Sequence, residues 1–160
     1  MAVDGLTKQY EISRGQAVLN DIITSDVTDP LTGNDARSST GDWIFDGMPN
    51  PINYLKKDGW KCPIIIIEYP NLEEDKDKRV LDDSKVMTTL SCEIDVVGLT
   101  RSQTNLLAEK IRYQITQNIA DLNTATMFNY TLTGTANDTE FIGSNKLYIK
   151  KLFYDFTRFD

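Results

Sequence analysis

The architecture of this chain can be worked out from Cys62-Pro63-Ile64-Ile65-Ile66-Ile67-Glu68-Tyr69-Pro70. The centre of this segment is an unbroken run of isoleucines between two prolines. β-Branched side chains in so short a run favour a strand over a helix. The run does not alternate with polar residues, so we expect a strand over residues 61–69 that is covered on both faces of its sheet.

A second strand is predicted over residues 86–98, because apolar and polar residues alternate there. The apolar set is Leu90, Cys92, Ile94 and Val96, and the polar set is Ser91, Glu93 and Asp95. Residues 71–85, between the two strands, contain six acidic and four basic residues. We interpret them as a charged hairpin loop between antiparallel strands, and an arm that contacts a partner by charge stays open as the alternative.

The main helix is predicted to begin at a capping box, with Thr100 as N-cap and Gln103 reaching back. Its buried side is predicted by a four-residue repeat and its apolar neighbours: Leu107, Ile111, Ile115 and Ile119, with Leu106, Ala108 and Leu122 beside them. We expect the helix to end near Asn118 and a loop to follow at residues 121–124.

A shorter helix is predicted near the start of the chain, where Ser13 and Gln16 form a second capping-box pattern. Its apolar face is formed by Val18, Leu19, Ile22 and Ile23. This helix should end near Thr24 or Ser25.

The remaining strands are predicted over residues 127–135 and 146–159, with a turn region from Gly134 to Gly143. The apolar pattern of the last strand changes phase at Lys150-Lys151, and a β-bulge or bend there would bring both halves to one core face. The fold class is therefore α+β, in one domain over residues 1–160. We expect a mostly antiparallel sheet of about four strands, with one main helix on one face and an N-terminal helix, in the order α-loop-β-β-α-β-β.

Residues 27–60 are predicted to form a long loop, because proline, glycine, Asp, Asn and Ser recur in them. The segment also contains Trp43, Phe45 and Trp60. Large apolar side chains in a loop must be buried against another surface. That surface is either the domain's own core or a neighbouring subunit.

Composition excludes several classes of function. The chain has no histidine, which rules out Ser-His-Asp and Cys-His catalysis and every histidine metal site. Its formal net charge of −7 argues against a protein that wraps nucleic acid. Cys62 and Cys92 form no C-x-x-C motif, and we interpret them as small buried hydrophobes, with a bridge between neighbouring strands left open. The longest apolar run, residues 63–67, is too short to span a bilayer.

A metal-dependent nuclease needs no histidine, and Glu68, Glu93 and Asp95 are the carboxylates that such a site could use. The strand contains Glu-x-Asp but no Glu-x-Lys, so a solvated strand face is favoured. No glycine-rich phosphate-binding motif occurs. The sequence therefore predicts no catalytic residue, no cofactor and no metal site. Lys150 and Lys151 are expected to face solvent or the acidic surface of a partner.

The order of these elements resembles the tail-terminator, or tail-completion, proteins of tailed phages and related viruses. The resemblance covers residues 10–159 as a pattern of elements. It is found in the early helix, the Pro-apolar-Glu strand at 62–70, the charged excursion at 71–85 and the alternating strand at 90–97. It continues through the helix that opens Thr100-Arg101-Ser102-Gln103 and contains Leu107-Ala108-Glu109-Lys110-Ile111, and then through two closing strands.

This resemblance implies a structural virion protein and no enzyme. It implies a homo-oligomeric ring, usually a hexamer, that caps the tail tube, stops its growth and joins the tail to the head-tail connector. Its partners would be further copies of itself, the tail tube protein and the connector, with genomic DNA passing through the lumen without specific binding and no membrane. The protein would be assembled in the host cytoplasm and would reside in the virion. The alternatives are another neck or tail component, such as a head-closure, adaptor or tube protein, and a small metal-dependent nuclease.

The candidate contact residues are the large side chains of the long loop, the acidic run of the charged hairpin loop and the paired lysines. They are Trp43, Phe45, Trp60, Glu73, Glu74, Asp75, Lys150 and Lys151. The acidic net charge suits a channel along which DNA slides without sticking. This hypothesis requires lumen-facing residues that are mostly acidic or neutral.

Overall fold

The computed structural model describes residues 17–36, 43–45, 62–71, 87–124, 127–142 and 144–159. Its helices are α1 over residues 17–26, α2 over Arg101–Gln117 and α3 over Ile119–Thr124, with a 3-10 turn at Gly33–Asp35. Its strands are β1 (Ile44–Phe45), β2 (Ile64–Asn71), β3 (Met87–Gly98), β4 (Phe128–Ile142) and β5 (Asn145–Phe159). The α+β class is confirmed.

The strands form one sheet in the order β1-β2-β3-β5-β4, and all neighbours are antiparallel except β1 and β2. The sheet thus has five strands among the described residues, and the prediction of about four was one short. The additional strand, β1, lies inside the predicted loop of residues 27–60. It has two residues, too few for a periodic pattern. Just before β1, the Ile65 N–H donates a backbone hydrogen bond of 2.7 Å to the Trp43 carbonyl.

The sheet has two different faces. Residues that pair directly across antiparallel strands lie on the same face. The helix face, which α2 covers, contains Ile65, Ile67, Leu90, Cys92, Ile94, Val96, Leu152, Tyr154 and Phe156. The opposite face contains Ile64, Ile66, Val97, Leu147 and Ile149, followed by Glu68, Glu93, Asp95 and Asp155, and we call it the carboxylate face. Ile64 to Ile67 are each at most 2% exposed, which confirms a strand covered on both faces.

The expected bulge at Lys150-Lys151 is wrong. β5 pairs with β3 without a break from Gly98↔Tyr148 to Met87↔Phe159. The two halves of β5 therefore bury their apolar side chains on opposite faces, with Leu147 and Ile149 on the carboxylate face and Leu152 on the helix face. The phase change in the sequence marks the point at which the buried side of β5 switches from the carboxylate face to the helix face.

The predicted turn region from Gly134 to Gly143 is also wrong. β4 continues to Ile142, which pairs with Asn145 at the start of β5. The irregular part of β4 lies at its beginning, where Asn129 has φ 53° and the register with β5 shifts twice. β4 is the edge strand of the sheet, and its outer half is exposed. Because neither face of this half is buried, its residues show no alternation of apolar and polar side chains, and the sequence pattern predicts a turn.

The capping box of α2 is confirmed. The Gln103 N–H donates to Thr100 Oγ1 at 3.1 Å, and the Leu99 N–H donates to Gln103 Oε1 at 3.1 Å, one residue before the N-cap. A Cβ at Gly98 would lie 2.7 Å from Gln103 Oε1 and 3.0 Å from Thr104 Cγ2, so a larger residue there would displace the Gln103 side chain from this hydrogen bond.

The buried stripe of α2 is confirmed for Leu107, Ile111 and Ile115, but Leu106 is 61% exposed and does not belong to it. Residues 119–124 form α3, not the predicted loop. A turn at Asn118 separates the two helices, so Ile119 leaves the four-residue repeat while Leu122 is buried. The Asn118 side-chain amide donates to Asp26 Oδ2 at 3.0 Å and joins this turn to α1.

The apolar face of α1 is confirmed, with Leu19, Ile22 and Ile23 buried, and this helix ends one or two residues later than predicted. Ser13 lies outside the described residues. Cys62 and Cys92 are buried, and no disulfide bond joins them. Among the described helices, none is long and apolar enough to cross a bilayer.

Candidate functional site

A cluster of charged side chains lies at the centre of the carboxylate face. Lys151 on β5 donates to Glu93 Oε1 on β3 at 3.1 Å, and its Nζ lies 3.9 Å from Asp95 Oδ2. The sheet register places Asp95 opposite Lys151 and Glu68 opposite Glu93. The side chains of Lys151, Glu93 and Asp95 are 28%, 18% and 15% exposed, so this ion pair is largely removed from water.

Asp95 is the most perturbed group of this cluster. Burial, followed by the hydrogen bond and negative charge of Glu93, raises the pKa of Asp95 from 3.8 to about 7, while Lys151 works against the shift. Asp95 Oδ1 is buried and has no hydrogen-bond partner in the described part of the chain. The hydrogen bond to Glu93 raises the pKa of Lys151. The cluster therefore holds an ammonium firmly and leaves Asp95 able to take up a proton near neutral pH.

The lysine that the sequence analysis missed beside Glu93 and Asp95 comes from a different strand. Lys151 is 58 residues from Glu93 in the sequence, and only the pairing of β3 with β5 brings them together. The ammonium lies where a cation would neutralise the two carboxylates. Within the described residues, no group of three or more His, Cys, Asp and Glu side chains is arranged to hold a metal ion.

The outer half of the β4–β5 hairpin, residues 137–142 and 145–150, forms an arm. β5 pairs with β3 only as far as Tyr148, so the last rungs of the arm extend past β3. Arg101, at the start of α2, fastens it by donating to Asn137 Oδ1 and to the carbonyls of Asp138 and Ile149 at 3.2–3.3 Å.

One face of the arm is basic and aromatic. Tyr148 lies close to two cations, with the Arg101 guanidinium 5.0 Å and the Lys146 ammonium 5.1 Å from its ring centroid. Phe141, opposite Lys146 in the register, is 66% exposed, and Lys150 continues the same side. This is the helix-face side of the sheet, because Tyr148 and Lys150 have the same parity along β5 as Leu152.

The charges of the sheet are segregated between its faces. Among the sheet side chains that the structure describes, the carboxylates all lie on the carboxylate face, where Lys151 is the only base: Glu68, Glu93, Asp95, Asp138, Glu140 and Asp155. Lys146 and Lys150 lie on the other face. Asp138 and Glu140 are exposed and form the acidic side of the arm. The arm is thus basic on one side and acidic on the other.

The outer side of α2 bears a line of exposed apolar residues. Leu106 and Tyr113 are each 61% exposed, and Leu99, just before the helix, is 57% exposed. Leu106 and Tyr113 are seven residues, or two helical turns, apart, so they lie on one side of α2. Leu106 and Tyr113 also line a shallow groove between α2 and the end of α1, together with Val27 and Lys110.

The predicted contact residues fall in different places. Trp43 is 2% exposed and lies in the domain's own core, which was one of the two alternatives for the long loop. Phe45 is half-buried on β1. Lys150 lies on the basic side of the arm and Lys151 in the carboxylate cluster, so the paired lysines face opposite ways. Trp60, Glu73, Glu74 and Asp75 lie outside the described residues, and their contact with a partner stays a prediction.

The structure also shows surface features that the sequence analysis missed. Arg101 and Tyr148 had no motif of their own, Leu106 was predicted beside the buried stripe, and Tyr113 belonged to no predicted pattern. A comparison with protein-family models finds no match to this chain. A comparison with curated proteins finds no significant match either.

Proposed function

We propose that this chain is a structural virion protein that caps the tail tube as a ring, stops tube growth and joins the tail to the head-tail connector. The proposal rests on the order of elements that resembles tail-terminator proteins and on the surfaces described above. The observation that carries it is the exposed apolar line of Leu106 and Tyr113 on α2, with Leu99 exposed just before the helix.

Exposed apolar side chains arranged in a line are typical of a surface that another protein covers. Burying a side chain of this size stabilises a complex by about 1.5–3 kcal/mol. α2 therefore has two apolar sides, one packed on its own sheet and one available to a partner. A ring of identical subunits would cover such a surface on every copy.

Another neck or tail component would use the same surfaces, and its position in the particle distinguishes it from a terminator. A terminator binds the growing end of the tail tube, whereas a head-closure protein or adaptor binds the connector without the tube. A tube protein would polymerise into a filament. These three outcomes can be separated by one set of experiments.

The test combines native mass spectrometry of the full chain with electron microscopy of tail tubes to which the protein has been added. We expect a closed ring of defined mass, free or on the tubes, and one cap at one end of each tube. Filaments, or a chain that stays monomeric and never binds tubes, would overturn the proposal. The double variant Leu106→Ser and Tyr113→Ser should fold but lose the ring, and Asn105→Ser, also exposed on α2, should keep it.

The charge of the side chains that line the channel provides a second part of this test. In the assembled ring, an electron-microscopy map should show acidic or neutral side chains along the channel. A channel lined by basic side chains would contradict passage of DNA without sticking.

A further inference from the structure

The arm has charges of opposite sign on its two sides, and this arrangement suits a contact between copies of the chain. Its basic side presents Lys146, Lys150 and the Arg101–Tyr148 stack, with Phe141 exposed beside them. Its acidic side presents the exposed Asp138 and Glu140. A surface that is complementary to another surface of the same molecule produces head-to-tail assembly.

We propose that the basic side of the arm docks on the acidic side of the arm of a second copy. The inference rests on the proposed function, because it names the contact between neighbouring subunits of that ring. Each copy gives one basic and one acidic side, so every copy makes two different contacts. Charge complementarity of this kind fixes the orientation and register of the neighbours, and the apolar line on α2 adds area to the contact.

The arm is prepared for this contact before assembly. Three hydrogen bonds from Arg101 hold both of its strands against the start of α2. The stacking of Arg101 and Lys146 on Tyr148 fixes the basic side further. A surface that is already ordered loses less conformational entropy when it binds.

A second copy suits the arm better than nucleic acid does. The chain has a net charge of −7, which repels a polyanion as a whole. The Arg101 guanidinium already donates to two backbone carbonyls and one side-chain amide, so fewer of its N–H groups remain for phosphates. The acidic complement that the basic side needs is present on the same arm.

The experiment uses two variants of the full chain. Lys146→Glu with Lys150→Glu makes both sides of the arm acidic, and Asp138→Lys with Glu140→Lys makes both sides basic. We expect neither variant to assemble alone at the concentration at which the wild type does. An equimolar mixture should assemble with alternating copies, because each basic side then meets an acidic one. Native mass spectrometry reads out the composition, and circular dichroism confirms that both variants fold.

A matched control for the variant Asp138→Lys with Glu140→Lys has the same change of charge away from the arm. Asp21→Lys with Asp121→Lys alters exposed positions on α1 and α3 and should leave assembly unchanged. Assembly that the control also loses would assign the effect to net charge and overturn the arm contact.

The outcomes distinguish this inference from the proposed function. If rings form in the wild type and in both arm variants, the arm contact is overturned and the ring stands. If the arm variants behave as expected but the assemblies never cap a tail tube, the arm contact stands and the terminator function fails. If the wild type stays monomeric under all conditions, both fail. Binding of double-stranded DNA that Lys146→Glu with Lys150→Glu abolishes, with an unchanged oligomer, would assign the basic side to nucleic acid and overturn the arm contact.

Discussion

The ammonium of Lys151 lies 3.1 Å from the carboxylate of Glu93 on the neighbouring strand. The register of β3 and β5 enforces this pair, because Asp95 lies directly opposite Lys151 and Glu93 is two residues away on the same face. One ammonium thus faces two carboxylates that are mostly withdrawn from water. Removing one partner of such a cluster leaves uncompensated charge, which costs more than the ion pair itself contributes.

Lys151→Met should therefore destabilise the fold. We expect a loss of about 2 kcal/mol, below the value for a fully buried pair because the cluster keeps some exposure. The loss should be larger at pH 8 than at pH 5, because Asp95 is protonated at pH 5 and its attraction to the Lys151 ammonium is then lost. Urea unfolding at the two pH values measures it. Lys150→Met is the matched control, because the neighbouring lysine lies on the opposite face, and an equal loss in both variants would contradict the cluster.

Asp95→Asn should stabilise the fold at pH 8 and should stabilise it by a smaller amount at pH 5. The pKa of Asp95 is raised from 3.8 to about 7 in the folded chain. The folded state therefore binds more protons than the unfolded state between these values, and the stability that Asp95 contributes falls as the pH rises through 7. One pKa unit corresponds to about 1.4 kcal/mol, so we expect a gain on the order of 2–4 kcal/mol at pH 8.

Thermal unfolding of Asp95→Asn and the wild type from pH 5 to pH 8 measures this difference. Asp21→Asn makes the same chemical change at an exposed position of α1 and should stay within about 0.5 kcal/mol of the wild type. A variant that is less stable than the wild type at pH 8 would show that Asp95 is needed as a carboxylate.

The strands β2 and β3 and the helix α2 could be predicted because burial imposes a strong pattern on them. The unbroken run Ile64–Ile67 follows from packing on both faces of β2. The alternation from Leu90 to Val96 follows from packing on one face of β3. β1 and the outer half of β4 could not be predicted. β1 has only two paired residues, and the outer half of β4 is exposed to solvent. Neither segment therefore has a periodic apolar pattern in the sequence.

The candidate site could be predicted only in part, because it is built across strands. Glu93 and Asp95 were visible as polar residues on one face of a strand. Their partner Lys151 was not, since a pair 58 residues apart depends on the order of strands in the sheet. The same holds for the stacking of Arg101 on Tyr148. Leu106 was predicted beside the buried stripe because periodicity alone does not separate two apolar sides of one helix.

Thr100→Ala should weaken the start of α2 by about 1 kcal/mol. The variant removes the hydroxyl that accepts the Gln103 N–H at 3.1 Å, and a first-turn N–H group then loses its partner. Guanidinium unfolding measures the change. Thr116→Ala is the control, since its exposed hydroxyl only donates to the Arg112 carbonyl within the helix, and alanine there should be neutral or slightly stabilising. Equal losses in the two variants would contradict the capping role of Thr100.

Leu107→Asp should prevent folding, whereas Leu106→Asp should affect assembly but not folding, although the two residues are neighbours in the sequence. Leu107 lies in the buried stripe of α2, and a carboxylate there loses its hydration, so we expect the domain to unfold. Leu106 is 61% exposed, so Leu106→Asp should change the free energy of unfolding by less than about 1 kcal/mol. The same variant places a charge in the apolar line of α2 and should prevent assembly of the full chain. Circular dichroism measures folding, and light scattering measures assembly. A folded Leu107→Asp would contradict the packing of α2, and a Leu106→Asp chain that still assembles would show that the apolar line is not a subunit contact.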